Sequence, residues 1–154
     1  MTSLCCKVLK ALQGKTLVTA ESCTGGGIGA ALTQIPCSSE VYKGGVICYT
    51  DWVKANVLGV DEELLGRCGA VSEPVAGQMA LGVRKLLNGD VAVSVTGLAG
   101  PGGDDFGNLV GTVYIGLSCG QNTIVQKFQF DGDRACVRAR SVEAALRMVL
   151  DAIK

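Results

Sequence analysis

The sequence predicts an α/β fold, a three-layer α/β/α sandwich around a mixed, mostly parallel sheet of about five strands. Three observations carry this. Short β-branched, apolar runs alternate with amphipathic stretches in a mostly β-α-β-α order. Two glycine-rich turns each follow such a run. Near the end, two strand-like runs are separated only by residues 119–122, a hairpin-sized gap that adds an antiparallel pair.

The elements follow in order. Leu4 to Leu12 reads as a short amphipathic helix ended by Gly14. Thr16 to Ala20 is a strand, Glu21 to Gly27 a glycine-rich turn and Ile28 to Thr33 a helix. Pro36 to Ser39 is a loop, and Gly45 to Thr50 a second strand. Asp51 caps a helix to about Leu58, and Asp61 opens another to about Arg67. The helix from Ser72 to Asn88 is the clearest: Ser72 suits an N-cap, Pro74 the first turn, and Asn88-Gly89 a stop. Its apolar stripe is Val75, Met79, Val83, Leu86 and Leu87. Val91 to Thr96 is nearly all apolar, as in a strand covered on both faces. A second glycine-rich loop spans Gly97 to Gly103. Gly111 to Ser118 and Thr123 to Phe130 form the hairpin. Asp133 then caps a final helix with Val137, Ser141, Ala144, Ala145, Met148 and Val149 inward.

At 154 residues, 48% apolar and 18% charged, the chain is one ordinary domain, 1–154, that packs without staples. Lys plus Arg balances Asp plus Glu at 14 each, with no basic run. Nucleic acid and acidic membrane surfaces are thus not expected partners; a small-molecule nucleotide is. No apolar stretch is long enough to span a bilayer and no signal segment is visible, so a cytoplasmic location is expected. The eight Cys show no C-x-x-C pairing and are expected as free thiols, most of them small buried hydrophobes. His is absent altogether. This removes the Ser-His-Asp triad, the Cys-His dyad and His-ligated zinc, and no metal or cofactor is expected.

Any nucleophile must therefore find another base, and a desolvated Lys is the natural substitute. Ser39, Tyr49 and Lys54 flank the second strand and are read as converging at its mouth. Glu21, Thr24, Gly25 and Gly26 in the first glycine-rich turn, and Thr96, Gly97 and Gly100 in the second, sit where open α/β sheets bind polar ligands. Gly25, Gly27 and Ala30 match a dinucleotide fingerprint only weakly, because no acidic residue ends the next strand. Arg134 and Arg138 lie one turn apart at the start of the last helix, an end that favours anions. A competing reading makes Cys23 the nucleophile, its thiol acidified by the following helix N-terminus.

Several segments together resemble the CinA C-terminal-domain family: TAESCTGGGIGAALT (19–33), PCSSEVYKGGVICYT (36–50), LGV (58–60), GAVSEPVA (69–76), SVTGLAGPGG (94–103), VGTVYI (110–115) and GDRACVR (132–138). The resemblance implies hydrolysis of the carboxamide of nicotinamide mononucleotide to nicotinate mononucleotide and ammonia. It also implies a Ser/Lys mechanism with Ser39 as nucleophile, Lys54 as base and Tyr49 orienting or relaying the proton. Arg134 and a glycine-rich loop would hold the phosphate. Many members carry an additional molybdopterin-binding-like domain, so this sequence is expected to act as a stand-alone amidase and to form a homo-oligomer. A binding module without turnover, related to competence, is the alternative from another class. Asn108-Leu109 stand where the family usually has Lys-Pro, and Asp51 to Val53 replace its usual run before the Lys.

Overall fold

The computed structural model describes residues 1–153. Six helices surround one five-stranded sheet: α1 (Thr2–Ala11), β1 (Leu17–Glu21), α2 (Gly27–Thr33), β2 (Tyr42–Ile47), α3 (Asp51–Asn56), α4 (Glu62–Cys68), α5 (Glu73–Leu87), β3 (Val91–Gly97), β4 (Thr112–Cys119), β5 (Asn122–Gln129) and α6 (Arg134–Ile153). A single 3-10 turn, Ser38–Glu40, precedes β2. The strand order is β2-β1-β3-β4-β5. β1 pairs parallel with β2 and β3, whereas β3–β4 and β4–β5 are antiparallel. Four strands thus point one way and β4 runs against them, as the mixed sheet required.

Alternation along the strands sorts side chains into two cores. Leu17 of β1 and Val91, Val93 and Val95 of β3 pack with α1, α2 and α6. Val18, Ala20 and Ala92 face the other way, onto α4 and α5. Two apolar layers around one sheet are the expected sandwich. In α5, Val75, Met79 and Val83 are fully buried, but Leu86 is exposed, so the stripe is narrower than its sequence suggests. Its start is held differently too: Ser72 donates to Gly69 O rather than capping. Asp133 does cap α6, accepting from Cys136 N at 2.9 Å. All eight Cys are free, but only Cys5, Cys23 and Cys48 are buried; Cys6, Cys37 and Cys136 are exposed.

The main departure is β2. Its frame lies three residues earlier than its apolar content suggests, so Cys48 and Tyr49 fall beyond it. The glycines of YKGGVI look unlike a strand, but this edge needs them. A Cβ on Gly45 would overlap Thr19 Oγ1, and the Tyr42 hydroxyl occupies the adjoining space at 2.8 Å.

The topology fixes where a site can form. The chain leaves β1 for β2 through α2 on one face, then crosses to β3 on the other side of β1. The carboxyl ends of β1 and β3 are therefore a switch point, where open α/β sheets leave a crevice. No helix among the described residues is long and apolar enough to cross a membrane.

Candidate active site

A cleft of about 660 Å3 opens at that switch point. Ser22 is the first residue past β1. Its N–H continues the sheet by donating to Val95 O at 3.0 Å, and its carbonyl accepts from Gly25 N at 3.0 Å, closing a tight turn. The hydroxyl is thereby presented at the strand end, at the opening of the glycine-rich turn that leads to α2. Lys54 reaches it from α3. Cys48 N donates to Glu21 O at 2.9 Å, so the chain after β2 runs level with the turn after β1. The following helix swings Lys54 back inward, where Nζ donates to Ser22 Oγ at 3.0 Å and to Cys48 O at 2.8 Å.

Lys54 is 1% exposed and has no carboxylate at ion-pair distance among the described residues. Burial pushes its ammonium below the ordinary value of 10.5; Cys48, Asp51 and Cys23 offset this only in part. An amine with a lowered pKa, in contact with a hydroxyl, is equipped to take its proton. The neighbouring thiols shift the other way. Burial raises both Cys23 and Cys48 to about 11, keeping them neutral at physiological pH.

The walls of the cleft come from β3 and α6. Thr96 is buried and donates to Ala70 O at 2.9 Å, tying the end of β3 to the α4–α5 connection. Arg134 bridges the mouth: Nη1 donates to Gly100 O at 2.7 Å and Nη2 to Tyr49 Oη at 3.0 Å. Arg138, one turn on, donates to Cys23 O and Thr24 O at 3.0 and 3.2 Å, clamping the Ser22 turn from outside.

The CinA C-terminal domain model matches residues 1–153. The chain belongs to the CinA C-terminal domain family. It is similar to a CinA-like protein of Thermosynechococcus vestitus, 50% identical over 78% of this chain and 29% of that protein. A putative competence-damage inducible protein of Bacillus pumilus is 43% identical over 99% of this chain and 37% of its own length. This CinA domain thus spans about a third of the length of these curated relatives. Among solved structures, a CinA-superfamily protein of Klebsiella pneumoniae superposes with a TM-score of 0.96 at 35% identity, covering 99% of this chain and 96% of that one. A competence/damage-inducible protein of Agrobacterium tumefaciens gives 0.93 at 38% identity, covering 99% and 94%.

Within this CinA domain the expected site residues divide. Lys54, Tyr49, Thr96, Gly97, Gly100 and Arg134 line the cleft. Ser39 does not: it is exposed in the 3-10 turn before β2, whereas Lys54 follows that strand. A strand separates the residues it connects, here by roughly 20 Å. Ser39 is thus not placed beside Lys54; the serine in contact with Lys54 is Ser22. Tyr49 sits at the rim, 57% exposed, its hydroxyl accepting from Arg134 rather than bonding to Lys54.

Glu21, Thr24, Gly25, Gly26 and Arg138 are not among the cleft-lining residues. Glu21 turns away from the cleft and accepts from Thr24 Oγ1 (2.8 Å), Ile28 N (2.7 Å) and Gly29 N (3.1 Å). Its carboxylate fills the anion seat at the start of α2, which was read as a seat for substrate. Gly25 lies against Arg138, and Gly26 lines a smaller cleft on the β2 side. Cys23 lines the main cleft, but its thiol is raised, not acidified, because burial outweighs its place before a helix. Among the described residues, no three His, Cys, Asp or Glu side chains are grouped to hold a metal ion.

Proposed function

We propose that this domain hydrolyses the carboxamide of nicotinamide mononucleotide to nicotinate mononucleotide and ammonia. The observation that carries this reading is the buried contact from Lys54 Nζ to Ser22 Oγ at the floor of the cleft. Neutral Lys54 takes the hydroxyl proton as Ser22 Oγ bonds to the amide carbon. The main-chain N–H groups that follow in the turn, at Cys23 and Thr24, are the proposed donors to the oxyanion. The Lys54 ammonium then protonates the leaving nitrogen, the C–N bond breaks, and ammonia departs from an ester on Ser22. Water, deprotonated by Lys54, attacks that ester and restores the serine. The resemblance drawn from the sequence supports both the substrate and the amide chemistry, and membership of the CinA family supports that resemblance.

The direct test is incubation with nicotinamide mononucleotide, following ammonia release and the mass of the Ser22 peptide. Ammonia and a transient ester on Ser22 are expected; a folded protein that releases none would overturn the reading. An ester found on Cys23 instead would restore the thiol alternative.

The pH profile follows from the Lys54 shift. Only the amine form accepts the Ser22 proton, so kcat/KM is lost as pH falls through the Lys54 pKa and levels off above it. Because that pKa lies below 10.5, the rise finishes before a solvated lysine would begin to titrate fully. A kcat/KM that falls rather than rises with pH below 10.5 would argue against a Lys base.

Arg134 and the Gly100 loop are the proposed phosphate holders, since Glu21 already satisfies the start of α2. Two of the five N–H groups of Arg134 are engaged with Gly100 and Tyr49, leaving others for an anion. Arg134→Ala is expected to raise KM roughly 10- to 100-fold with a smaller effect on kcat. It should also narrow the preference for the mononucleotide over nicotinamide riboside. An unchanged preference in steady-state kinetics would place the phosphate elsewhere.

A further inference from the structure

We propose that Phe106 is a specificity residue, a fixed aromatic platform that selects substrates carrying a flat, positively charged ring. This rests on the amidase reading above and names the feature of the substrate that the cleft recognises.

Phe106 lines the cleft and remains 48% exposed. An exposed Phe on a loop is usually mobile, but this one is seated. Its ring lies directly on Gly69, where a Cβ would sit 2.5 Å from Cδ2. Gly69 also has φ of +76°, so both space and backbone conformation require glycine there. The loop on either side of the ring is pinned. Asp104 Oδ1 accepts from Phe106 N and Asn108 N, both at 3.1 Å, and Asp104 Oδ2 accepts from Asn108 Nδ2 at 2.7 Å. The same Asn108 amide donates to Val71 O at 3.1 Å, fastening the loop to the segment that carries Gly69. The ring is therefore seated against the backbone at Gly69, lines the cleft and keeps about half of its surface open.

The charge around it has a sign. Three carboxylates, Asp51, Asp104 and Asp105, line the same cleft as Phe106. Against them stand Arg134, which is engaged with Gly100 and Tyr49, and Lys54, which is turned onto Ser22. An aromatic face carries negative π density and attracts a cation, the more so among carboxylates. Stacking holds a planar ring by its face, leaving a substituent at the ring edge free to point to the floor of the cleft. The Asn108-Leu109 departure from the family pattern thus has a use: Asn108 builds the clasp that holds the platform.

The test measures binding in a Ser22→Ala background, where the ligand is not consumed. Nicotinamide mononucleotide is titrated by calorimetry, beside its reduced dihydro form, which keeps the phosphate and carboxamide but lacks the positive charge. Adding Phe106→Ala is expected to weaken the cationic ligand roughly 5- to 30-fold and the dihydro ligand less than about 3-fold. Phe106→Leu keeps apolar bulk on Gly69 but removes the ring, and should behave as Phe106→Ala does; Phe106→Tyr should bind like the parent. Equal binding of the cationic ligand by parent and Phe106→Ala would overturn the platform alone, as would equal losses for both ligands. A parent that binds no mononucleotide would instead overturn the amidase reading, and this inference with it.

Discussion

Ser22→Ala and Lys54→Met are each expected to lower the proposed amide hydrolysis by about 10³-fold or more, and the double variant to be scarcely worse than either. The non-additivity follows from the contact itself. The hydroxyl is a weak nucleophile without a base, and the base has nothing to activate without the hydroxyl. Ser39→Ala, at the far end of β2, should retain near-native kcat and KM. The three variants together decide which serine works with Lys54. Activity that survives Ser22→Ala but is lost with Ser39→Ala would mean that the chain rearranges around β2 in solution. Lys54→Met also reads out the buried amine through stability. The native lysine has a folded pKa below its unfolded value, so between the two the unfolded chain binds more protons. Stability of the native protein relative to Lys54→Met should therefore rise with pH in that window, which ends at 10.5. The slope is at most about 1.4 kcal/mol per pH unit, the limit for one proton. Urea melts of both proteins check it; matching them guards against Cys23 and Cys48, whose raised pKa values act in the opposite direction above about pH 9.

The proposed base is legible in the sequence, and the proposed nucleophile is not. Lys54 could be singled out because the chain has no His, which leaves few groups able to take a proton. Ser22 lay inside a turn whose glycines drew attention to backbone and phosphate, and a serine shows nothing of its role without its partner. That partner is set by pairing between strands: Glu21 opposes Ile47, so the residues after β1 and β2 emerge at one level. The sequence does not display that register. It also misplaces β2, since Tyr42 to Gly45 carries two glycines, of which Gly45 is required by the closeness of Thr19 and Tyr42. Ser39 as nucleophile comes from the family resemblance, and the register of β2 puts it at the end of the strand away from Lys54. By contrast β3, the β4–β5 hairpin and α6 are readable, because their periodicity and the Asp133 cap agree with the packing they receive, and α5 is readable in its span though not in its cap or in Leu86. The Arg134–Tyr49 and Asp104–Asn108 contacts join residues far apart or on an irregular loop, where no period exists to read.

The second large effect concerns Glu21, and it falls on stability. Glu21→Ala is expected to cost about 2–4 kcal/mol, lowering Tm by roughly 6–12 °C. The carboxylate is 2% exposed and its partners are donors: Thr24 Oγ1, Ile28 N and Gly29 N, with Thr19 Oγ1 more distant at 3.3 Å. Among the described residues, no buried side-chain polar atom lacks a partner as the chain stands. Truncation would leave the first turn of α2 with amides that have no acceptor, at the end of the helix where negative charge is most favourable. Glu21→Gln is not a conservative remedy, because its NH2 would face one of those N–H donors. It should fall between Glu and Ala in a thermal melt. The smaller cleft of about 230 Å3 beside Glu21 sets the lower bound, since water entering there could satisfy part of the loss. Catalysis should suffer less than stability, because Arg138 still clamps Cys23 O and Thr24 O from α6. Below its melting range, Glu21→Ala is therefore expected to keep the pH profile set by Lys54 while losing part of kcat. If it melted with the native protein, water would be replacing the carboxylate fully, and the start of α2 would be open to a phosphate after all.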